Sequence, residues 1–296
     1  MKKTLTVFTP TYNRAHTINR TYESLCRQTC KDFEWMVIDD GSTDNTCELI
    51  QQYIDENIIP IHYIYKENGG LHTGYNTAYA NIETELNVCI DSDDFMPDNA
   101  VELIINTWKE RGSNQYAGII GLDYYADTKE PISGKFPEGM TECYQLDLIT
   151  QKIHTGDAKQ VMRTELMKKV APQVGFPGEK NFNPFYMIVK VCDDYPLLVL
   201  NENLCFVEYQ QTDSMSAGIF RQYMNSPRSF AKMRIQAMTL KRSPFTYKLR
   251  SCIHYVSSCI IARDKDWLKN SPCKMMTLCM APLGWLLSLY IKHKAS

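Results

Sequence analysis

The first hundred residues repeat one pattern four times, a short apolar run followed by an amphipathic stretch, and this alternation constrains the fold more than any other feature. It is typical of strands and crossover helices in a parallel sheet. The apolar runs predict strands over Leu5 to Thr9, Glu34 to Asp39, Ile61 to Tyr65 and Leu86 to Ile90. The intervening stretches predict helices over Thr17 to Gln28, Thr43 to Asp55 and Gly74 to Asn81. The chain is therefore expected to fold as an α/β domain with a mostly parallel sheet flanked by helices.

The rest of the chain is less regular. It predicts a helix over Pro97 to Lys109 and strands over Tyr116 to Asp123, Leu197 to Leu200 and Leu204 to Tyr209. The stretch between the first of these strands and Gly178 shows no clear periodicity and is interpreted as loops. After Ser216 the sequence becomes helical in character and more basic. We therefore expect a main domain over residues 1–215 and a helical C-terminal extension over residues 216–296.

Composition excludes several classes of protein. The chain has 296 residues and 44% hydrophobic content, enough for one large core and a smaller appendage. Lys plus Arg (32) nearly balances Asp plus Glu (34), so no basic field favours nucleic acid as a partner. The N-terminal apolar run is too short for a signal peptide, and the chain is expected to be cytoplasmic.

The segment from Met275 to Ile291 is uncharged and is flanked by Lys274, Lys292 and Lys294. Its length lies at the lower limit for a membrane span, and its Trp285 and Tyr290 suit a membrane interface. Two interpretations have equal weight: a peripheral contact with the inner face of the plasma membrane, and a core helix of a small subdomain. A full span ranks behind both.

Polar residues follow each of the first four predicted strands. They form the segments Thr9 to Asn13, Asp39 to Ser42, Glu67 to Gly70 and Asp91 to Asp94. Because the carboxyl ends of parallel strands line one crevice, these segments are expected to converge where a ligand binds.

The run Asp91-Ser92-Asp93-Asp94 places three carboxylates at the end of a buried strand. Carboxylates this close repel one another, and a hard divalent cation such as Mg²⁺ or Mn²⁺, bridging them to a diphosphate, offsets that repulsion. The alternative is that Asp94 or a neighbour caps the helix that Pro97 opens.

Two other segments offer complementary groups. Asp39 and Asp40 could accept hydrogen bonds from a uracil imide or a ribose, while Ser42 or Thr43 could cap the next helix. Gly69 and Gly70 permit a positive backbone angle and the close approach of amides to an anion.

Four motifs together carry a specific resemblance. They are Phe8-Thr9-Pro10-Thr11-Tyr12-Asn13-Arg14, Ile38-Asp39-Asp40-Gly41-Ser42-Thr43-Asp44, Asn68-Gly69-Gly70 with Asn76, and Asp91-Ser92-Asp93-Asp94. In this order they resemble bacterial family 2 glycosyltransferases of GT-A fold. The later segments Asn201 to Cys205 and Val207 to Gln210 resemble a branch of that family that builds surface polysaccharides.

The resemblance implies an inverting transfer from a UDP-sugar or similar donor to a hydroxyl of a glycan or lipid-linked acceptor. Asp93 would bind Mn²⁺ or Mg²⁺ on the diphosphate, and Asp91 would contact the ribose or the metal. The remaining donor-binding residues implied by the motifs are Thr9, Pro10, Thr11, Tyr12, Asn13, Asp39, Asp40, Gly69, Gly70, Asn76 and Ser92.

An inverting transfer also needs a base to take the acceptor's proton. The resemblance indicates Glu179, within Gly178-Glu179-Lys180, although Asn183-Pro184-Phe185 departs from the family where relatives often carry another acid. Asp193, Asp194 and Asp157 are the alternatives.

Of two other function classes, one remains an alternative to this interpretation and the other is excluded. A non-catalytic module that binds nucleotide-sugars or glycans at the membrane would share the same motifs. A Rossmann oxidoreductase is excluded because no Gly-x-Gly-x-x-Gly follows the first strand.

Overall fold

The computed structural model describes residues 2–208 and 218–295. The chain forms two compact units. The first unit comprises Met1–Gln173 and Met187–Tyr209, and the second comprises Val174–Tyr186 and Gln210–Ser296. The predicted boundary between residues 215 and 216, like Tyr209 and Gln210 of the later motif, lies outside the described residues. The domain assignment therefore stays a prediction.

The first four strands of the sheet are parallel, as predicted. They are β1 (Leu5–Thr11), β2 (Phe33–Asp39), β3 (Ile61–Tyr65) and β4 (Leu86–Cys89), in the order β3-β2-β1-β4. The helices that connect and follow them are α1 (Ile18–Cys26), α2 (Thr46–Glu56), α3 (Leu71–Asn81) and α4 (Ala100–Arg111). Each predicted strand matches the observed one to within two residues at either end. Almost all residues of β1, β2 and β4 are buried, whereas β3, at the edge of the sheet, is only partly buried.

The second half of this unit contains predicted and unpredicted elements. The strands β5 (Gly118–Tyr125) and β8 (Leu197–Val207) lie where the sequence predicted strands. The elements that the sequence did not predict are β6 (Glu142–Cys143), α5 (Gln145–Thr150), β7 (Ala158–Arg163), α6 (Thr164–Val170) and α7 (Phe185–Cys192). The sheet continues from β4 in the order β7-β5-β8-β6. The prediction of loops up to Gly178 is thus wrong. The two strands predicted after Leu197 are one strand, whose pairing with β5 contains register shifts.

Strand β7 runs antiparallel between β4 and β5. Its close approach depends on Gly118, whose φ is +151° and whose added Cβ would lie 1.9 Å from the Val161 carbonyl oxygen. Only a residue without a side chain avoids this overlap. Because β7 lies between β4 and β5, its N-terminal half is beside the loop that follows β4.

The second unit is helical, which agrees with the prediction for the C-terminal region. Its helices are α8 (Ile219–Asn225), α9 (Pro227–Thr239), α10 (Phe245–Ala262), α11 (Trp267–Asn270) and α12 (Lys274–Ala295). A small core joins α9 and α10 through Ala231, Met238, Cys252, Tyr255, Val256 and Cys259.

Candidate functional site

The loops after β1, β2 and β3 meet at the carboxyl edge of the sheet, as the sequence predicted. The Asp40 amide donates to the Thr11 carbonyl at 2.8 Å, and the Lys66 amide donates to the Asp39 carbonyl at 2.9 Å. These bonds continue the parallel pairing past the ends of the strands. Side chains from the three loops therefore share one edge.

Asn13 joins the first two loops. Its amide N–H donates to the Ser42 hydroxyl at 2.9 Å, and its Oδ1 accepts the Thr43 N–H at 2.7 Å. Its φ of 53° is tolerated by Asn better than by most residues. Asn13, predicted to bind the donor, thus has a supporting role in the structure.

The predicted cap by Ser42 or Thr43 is wrong, because α2 begins only at Thr46 with Asn45 at its N-cap. The first turn is instead held by Asp44, whose carboxylate accepts the Thr46 N–H at 3.1 Å and the Thr46 hydroxyl. The Ser42 hydroxyl is already engaged by Asn13.

Asp39 is completely buried, and both of its carboxylate oxygens have partners. Oδ1 accepts the Ser42 N–H at 2.7 Å, and Oδ2 accepts the Tyr63 hydroxyl at 2.7 Å. Each carboxylate oxygen can accept a second hydrogen bond. A nucleobase contact by Asp39 would have to use that remaining capacity.

Asp40 binds the glycine loop. Its carboxylate accepts the Gly69 N–H at 2.9 Å and the Gly70 N–H at 2.8 Å, and it pairs with the Lys66 ammonium. Gly70 has a φ of 90°, which confirms the positive backbone angle at this position. The anion that the two glycine amides approach is therefore the Asp40 carboxylate, and any donor contact by the two glycines would use other atoms.

The residues of the first motif differ in exposure and in whether their side chains already have hydrogen-bond partners. Thr9 is buried and its hydroxyl accepts the Trp35 indole N–H at 3.0 Å, while Pro10 packs against Gly74 of α3. The buried Thr11 hydroxyl has no hydrogen-bond partner among residues 2–208 and 218–295, and Tyr12 is 48% exposed. Thr11 and Tyr12 are therefore the two members of this motif that fit a nucleobase contact best.

The Asn76 side chain forms a reciprocal pair of hydrogen bonds with Gln173 of the same unit. Its Nδ2 donates to the Gln173 carbonyl at 2.9 Å, and its Oδ1 accepts the Gln173 N–H at 2.7 Å. This reciprocal pair fixes the end of the segment after α6. Asn76 is therefore a support for that segment in the structure.

The four residues Asp91 to Asp94, in the loop after β4, differ in their exposure. Asp91 is exposed, Ser92 and Asp94 are buried, and Asp93 is half-buried. Helix α4 begins at Ala100 with Asn99 at its N-cap, so the alternative in which Asp94 caps this helix is wrong. Of the three carboxylates, Asp94 is the one that turns into the protein.

Asp94 and Asp123 share a buried cation. Lys159 of β7 lies with its Nζ 3.6 Å from the Asp123 Oδ2 and 3.9 Å from the Asp94 Oδ2. Burial raises the pKa of Asp123 to about 6, and the charge of Lys159 opposes this shift. Burial alone would lower the pKa of Lys159, but the surrounding carboxylates and Cys205 raise it well above its usual value, so Lys159 stays charged. The sequence pattern did not single out either residue, because Lys159 lies on the unpredicted β7 and Asp123 is the last residue of the strand predicted over Tyr116 to Asp123.

Helix α1 holds the loop after β4 from the other side. Arg20 donates from Nη2 to the Asp93 carbonyl at 3.3 Å and also pairs with the Glu208 carboxylate. The Thr21 hydroxyl donates to the Asp94 carbonyl at 2.7 Å. The backbone of the loop is thus fixed while the Asp93 side chain makes no hydrogen bond or salt bridge with any described residue.

The carboxylate oxygens of this loop suit a hard divalent cation. Where the chain is described, no three His, Cys, Asp or Glu side chains come together as a complete metal cage. Mg²⁺ and similar ions commonly use one or two carboxylates and take their other ligands from substrate phosphates and water. The exposed Asp91 and the unengaged Asp93 fit this mode, and they remain the predicted metal ligands.

Glu179 lies in the second unit and has a defined structural role there. Its carboxylate accepts the Arg228 N–H at 3.0 Å, the Ser229 N–H at 2.8 Å and the Ser229 hydroxyl at 2.7 Å. These donors belong to the first turn of α9, where a negative charge stabilises a helix. The contacts describe a helix cap, and the role of Glu179 as the base stays a prediction.

Sequence comparison supports the interpretation of the motifs. The model of the family described as glycosyl transferase family 2 matches residues 6–167. TarP of Staphylococcus aureus (strain N315), a poly(ribitol-phosphate) beta-N-acetylglucosaminyltransferase, is 32% identical over 127 residues, which cover 42% of this chain and 38% of TarP. The chain spans about half the length, or less, of the curated relatives that it first matches.

Solved structures show the same fold. TarS 1–349 of S. aureus in complex with UDP-GlcNAc has a TM-score of 0.61 and 19% identity, covering 91% of this chain and 76% of that one. The mannosyltransferase PcManGT of Pyrobaculum calidifontis, in complex with GDP-Man and Mn²⁺, has a TM-score of 0.58 and 16% identity, covering 98% of this chain and 88% of that one. The predicted GT-A fold is confirmed by these likenesses.

The contacts of Asp40 generate a prediction about stability. Asp40→Asn places an N–H₂ or a neutral oxygen before two amide donors and removes the partner of Lys66. We expect it to lower the free energy of unfolding by about 2 kcal/mol or more without any ligand present, as measured by urea denaturation.

Asp93→Asn is the matched control, since its carboxylate has no partner to lose among the described residues, and it should unfold within about 0.5 kcal/mol of the parent. Equal stabilities for the two variants would show that the Asp40 contacts do not hold the loops together.

Proposed function

Because the chain belongs to glycosyl transferase family 2, we propose that it is an inverting glycosyltransferase that moves one sugar from a nucleotide-sugar onto a hydroxyl of a glycan or lipid-linked acceptor. The single observation that carries this proposal is the Asp93 carboxylate, which lies at the carboxyl edge of the sheet with its backbone fixed and its side chain unengaged. A UDP-sugar is the proposed donor, and surface polysaccharide synthesis is the proposed setting.

Different residues of this chain would contact different parts of the nucleotide-sugar donor. Thr11 and Tyr12 would contact the nucleobase, and Asp39 would accept from its polar edge with its remaining lone pairs. Asp91 and Asp93 would hold Mn²⁺ or Mg²⁺ against the diphosphate. When bound, the ion stabilises the charge that the leaving nucleoside diphosphate gains in the transition state.

The transfer itself is a single displacement. The acceptor oxygen forms a bond to the anomeric carbon while the bond to the diphosphate oxygen breaks, and the acceptor's proton passes to a carboxylate of the protein. Asp40, Asn13 and Asn76 would act indirectly, because their contacts hold the loops that carry the binding residues.

The contacts of Glu179 favour a second candidate function. Both of its oxygens are engaged by the first turn of α9, which leaves the base without a free carboxylate at the predicted position. A module that binds nucleotide-sugars without transferring them would need no base. Metal-dependent release of nucleoside diphosphate from a panel of nucleotide sugars distinguishes the two candidates.

We further propose that α12 contacts the membrane. It is the only helix in the described part of the chain that is long and apolar enough to cross a bilayer by length and composition. The small or polar residues Thr277, Gly284 and Ser288 are buried together with Ile291, whereas most of the large apolar residues of α12 are exposed. The exposed group is Met275, Leu278, Leu283, Trp285, Leu286, Leu289 and Tyr290.

Close packing explains the buried face of α12. A Cβ added at Gly284 would lie 2.6 Å from the Val256 side chain of α10, so the two helices touch backbone to side chain. Small residues between helices with large apolar residues outside are typical of helices that face lipid. Lys274, Lys292 and Lys294 at the two ends suit anionic headgroups.

Removing the proposed metal ligand tests the main proposal. Asp93→Ala should lower kcat for sugar transfer by at least about a hundredfold at saturating Mn²⁺, because charge on the leaving group is then less stabilised. The thermal unfolding midpoint should not change. Turnover within about threefold of the parent would contradict the role of Asp93.

Replacing Glu179 separates its two roles. Glu179→Gln keeps the size of the side chain and one carbonyl acceptor but cannot take a proton. If Glu179 is the base, transfer falls by about a hundredfold or more while donor affinity persists, and the unfolding midpoint also falls because the capping contacts are weakened in either case. If Glu179 is only a cap of α9, transfer stays near the parent's and the unfolding midpoint falls.

The membrane contact is tested with single charges on exposed apolar positions. Leu286→Glu, on the exposed face of α12, should weaken binding to phosphatidylglycerol vesicles by about fivefold or more, measured by co-sedimentation. Val174→Glu, at a 77% exposed position of the same unit, is the control and should bind as the parent does. Unchanged binding by Leu286→Glu would exclude this face of α12 as the contact.

A further inference from the structure

Lys159 occupies a position at the candidate site that none of the four motifs includes. In the sheet it lies opposite Gly121 of β5, and the pairing of β7 with β4 ends before it, at Val88 with Val161. Lys159 therefore lies alongside the point where β4 ends and the Asp91-Ser92-Asp93-Asp94 loop begins. Its side chain is only 12% exposed.

The cation compensates two carboxylates that face into the protein. Asp123 Oδ2 and Asp94 Oδ2 both lie within 4.0 Å of the Lys159 ammonium, and both side chains are less than 10% exposed. The second oxygen of Asp123 is buried and has no hydrogen-bond partner among the described residues. Lys159 is thus the ion-pair partner found for this carboxylate in the part of the chain that the structure describes.

Lys159 forms ion pairs with Asp94 and Asp123, whereas Asp91 and Asp93 form no ion pair within residues 2–208 and 218–295. The charge of Lys159 nevertheless also acts on Asp91. A buried ammonium so close to the loop also acts on charges beyond its direct contacts, because the low-dielectric interior screens it weakly. A divalent ion held by Asp91 and Asp93 would experience repulsion from it.

We propose that Lys159 is a positioning residue for the metal site: its charge confines the divalent cation to Asp91 and Asp93 and lowers the affinity of the site for that cation. The inference rests on the metal-binding part of the proposed function. Its benefit to a transferase is that the metal–diphosphate product would leave more readily. A purely structural ion pair would stabilise the fold without altering metal affinity.

Three variants of the full chain test the proposal. Lys159→Met removes the charge and keeps most of the length of the side chain, Lys159→Arg keeps the charge, and Asp123→Asn removes one of the two carboxylates. The Mn²⁺ dissociation constant of each is measured by electron paramagnetic resonance of free Mn²⁺ in saturating UDP. Thermal unfolding with EDTA and with Mn²⁺ is the second measurement.

The expected changes have opposite signs. Lys159→Met should tighten Mn²⁺ binding by about fivefold or more and should gain more thermal stability from Mn²⁺ than the parent does. Lys159→Arg should stay within about twofold of the parent. Asp123→Asn, which leaves the cation less compensated, should weaken Mn²⁺ binding by about fivefold.

Unchanged or weaker Mn²⁺ binding by Lys159→Met overturns the proposal. If Lys159→Met does not fold, the test rests on Asp123→Asn. Binding of Mn²⁺ by Asp123→Asn with the parent's affinity also overturns the proposal. Sugar transfer by the parent is measured separately. If the parent transfers sugar but the Lys159 variants bind Mn²⁺ as the parent does, only this inference is wrong. If the Mn²⁺ affinities change as expected but the parent transfers no sugar, only the catalytic part of the proposed function is wrong. A parent that binds no Mn²⁺ contradicts both this inference and the metal assignment.

Discussion

Several aspartate side chains lie at the edge of the sheet where the parallel strands end, and each buried one needs a hydrogen-bond donor or a cation beside it. The rest of this site depends on that requirement. A buried carboxylate is costly unless donors or cations surround it, so each one organises the groups nearby. Asp39 fixes the turn that follows β2, Asp40 collects the amides of the glycine loop, and Asp94 turns to Lys159. Once these are satisfied, Asp93 is left with a fixed backbone and an unengaged side chain.

This arrangement explains how a chain can present a charged ligand site on a mostly apolar sheet. The loops that hold the site are crosslinked by contacts between residues roughly thirty positions apart, such as Asn13 with Ser42 and Asp40 with Gly70. Most of the predicted donor-binding residues thus have structural roles as well. A functional role for them would add to these contacts, since the loops already depend on them.

The sequence predicted the first half of the fold well because β1, β2 and β4 are buried and leave apolar runs, and because the partly exposed β3 keeps the alternation of strand and helix. It failed at β7, where Lys159 and Gln160 interrupt the apolar pattern and the pairing depends on Gly118. The helix caps were mispredicted because α2 and α4 begin three residues after the expected positions. The partner of Asp40 could not be predicted at all, since nothing local shows that two glycine amides 29 and 30 residues later reach it. Missing β7 also hid the cation that compensates Asp94.

The central claim is that this edge of the sheet binds a nucleoside diphosphate through a divalent ion held by carboxylates. Isothermal titration calorimetry of UDP into the full chain, with Mn²⁺ and then with EDTA, tests it most directly. We expect binding to be at least about tenfold tighter with Mn²⁺, a difference of about 1.4 kcal/mol. Equal affinities for UDP in the two conditions, or no binding of UDP in either, would contradict the account.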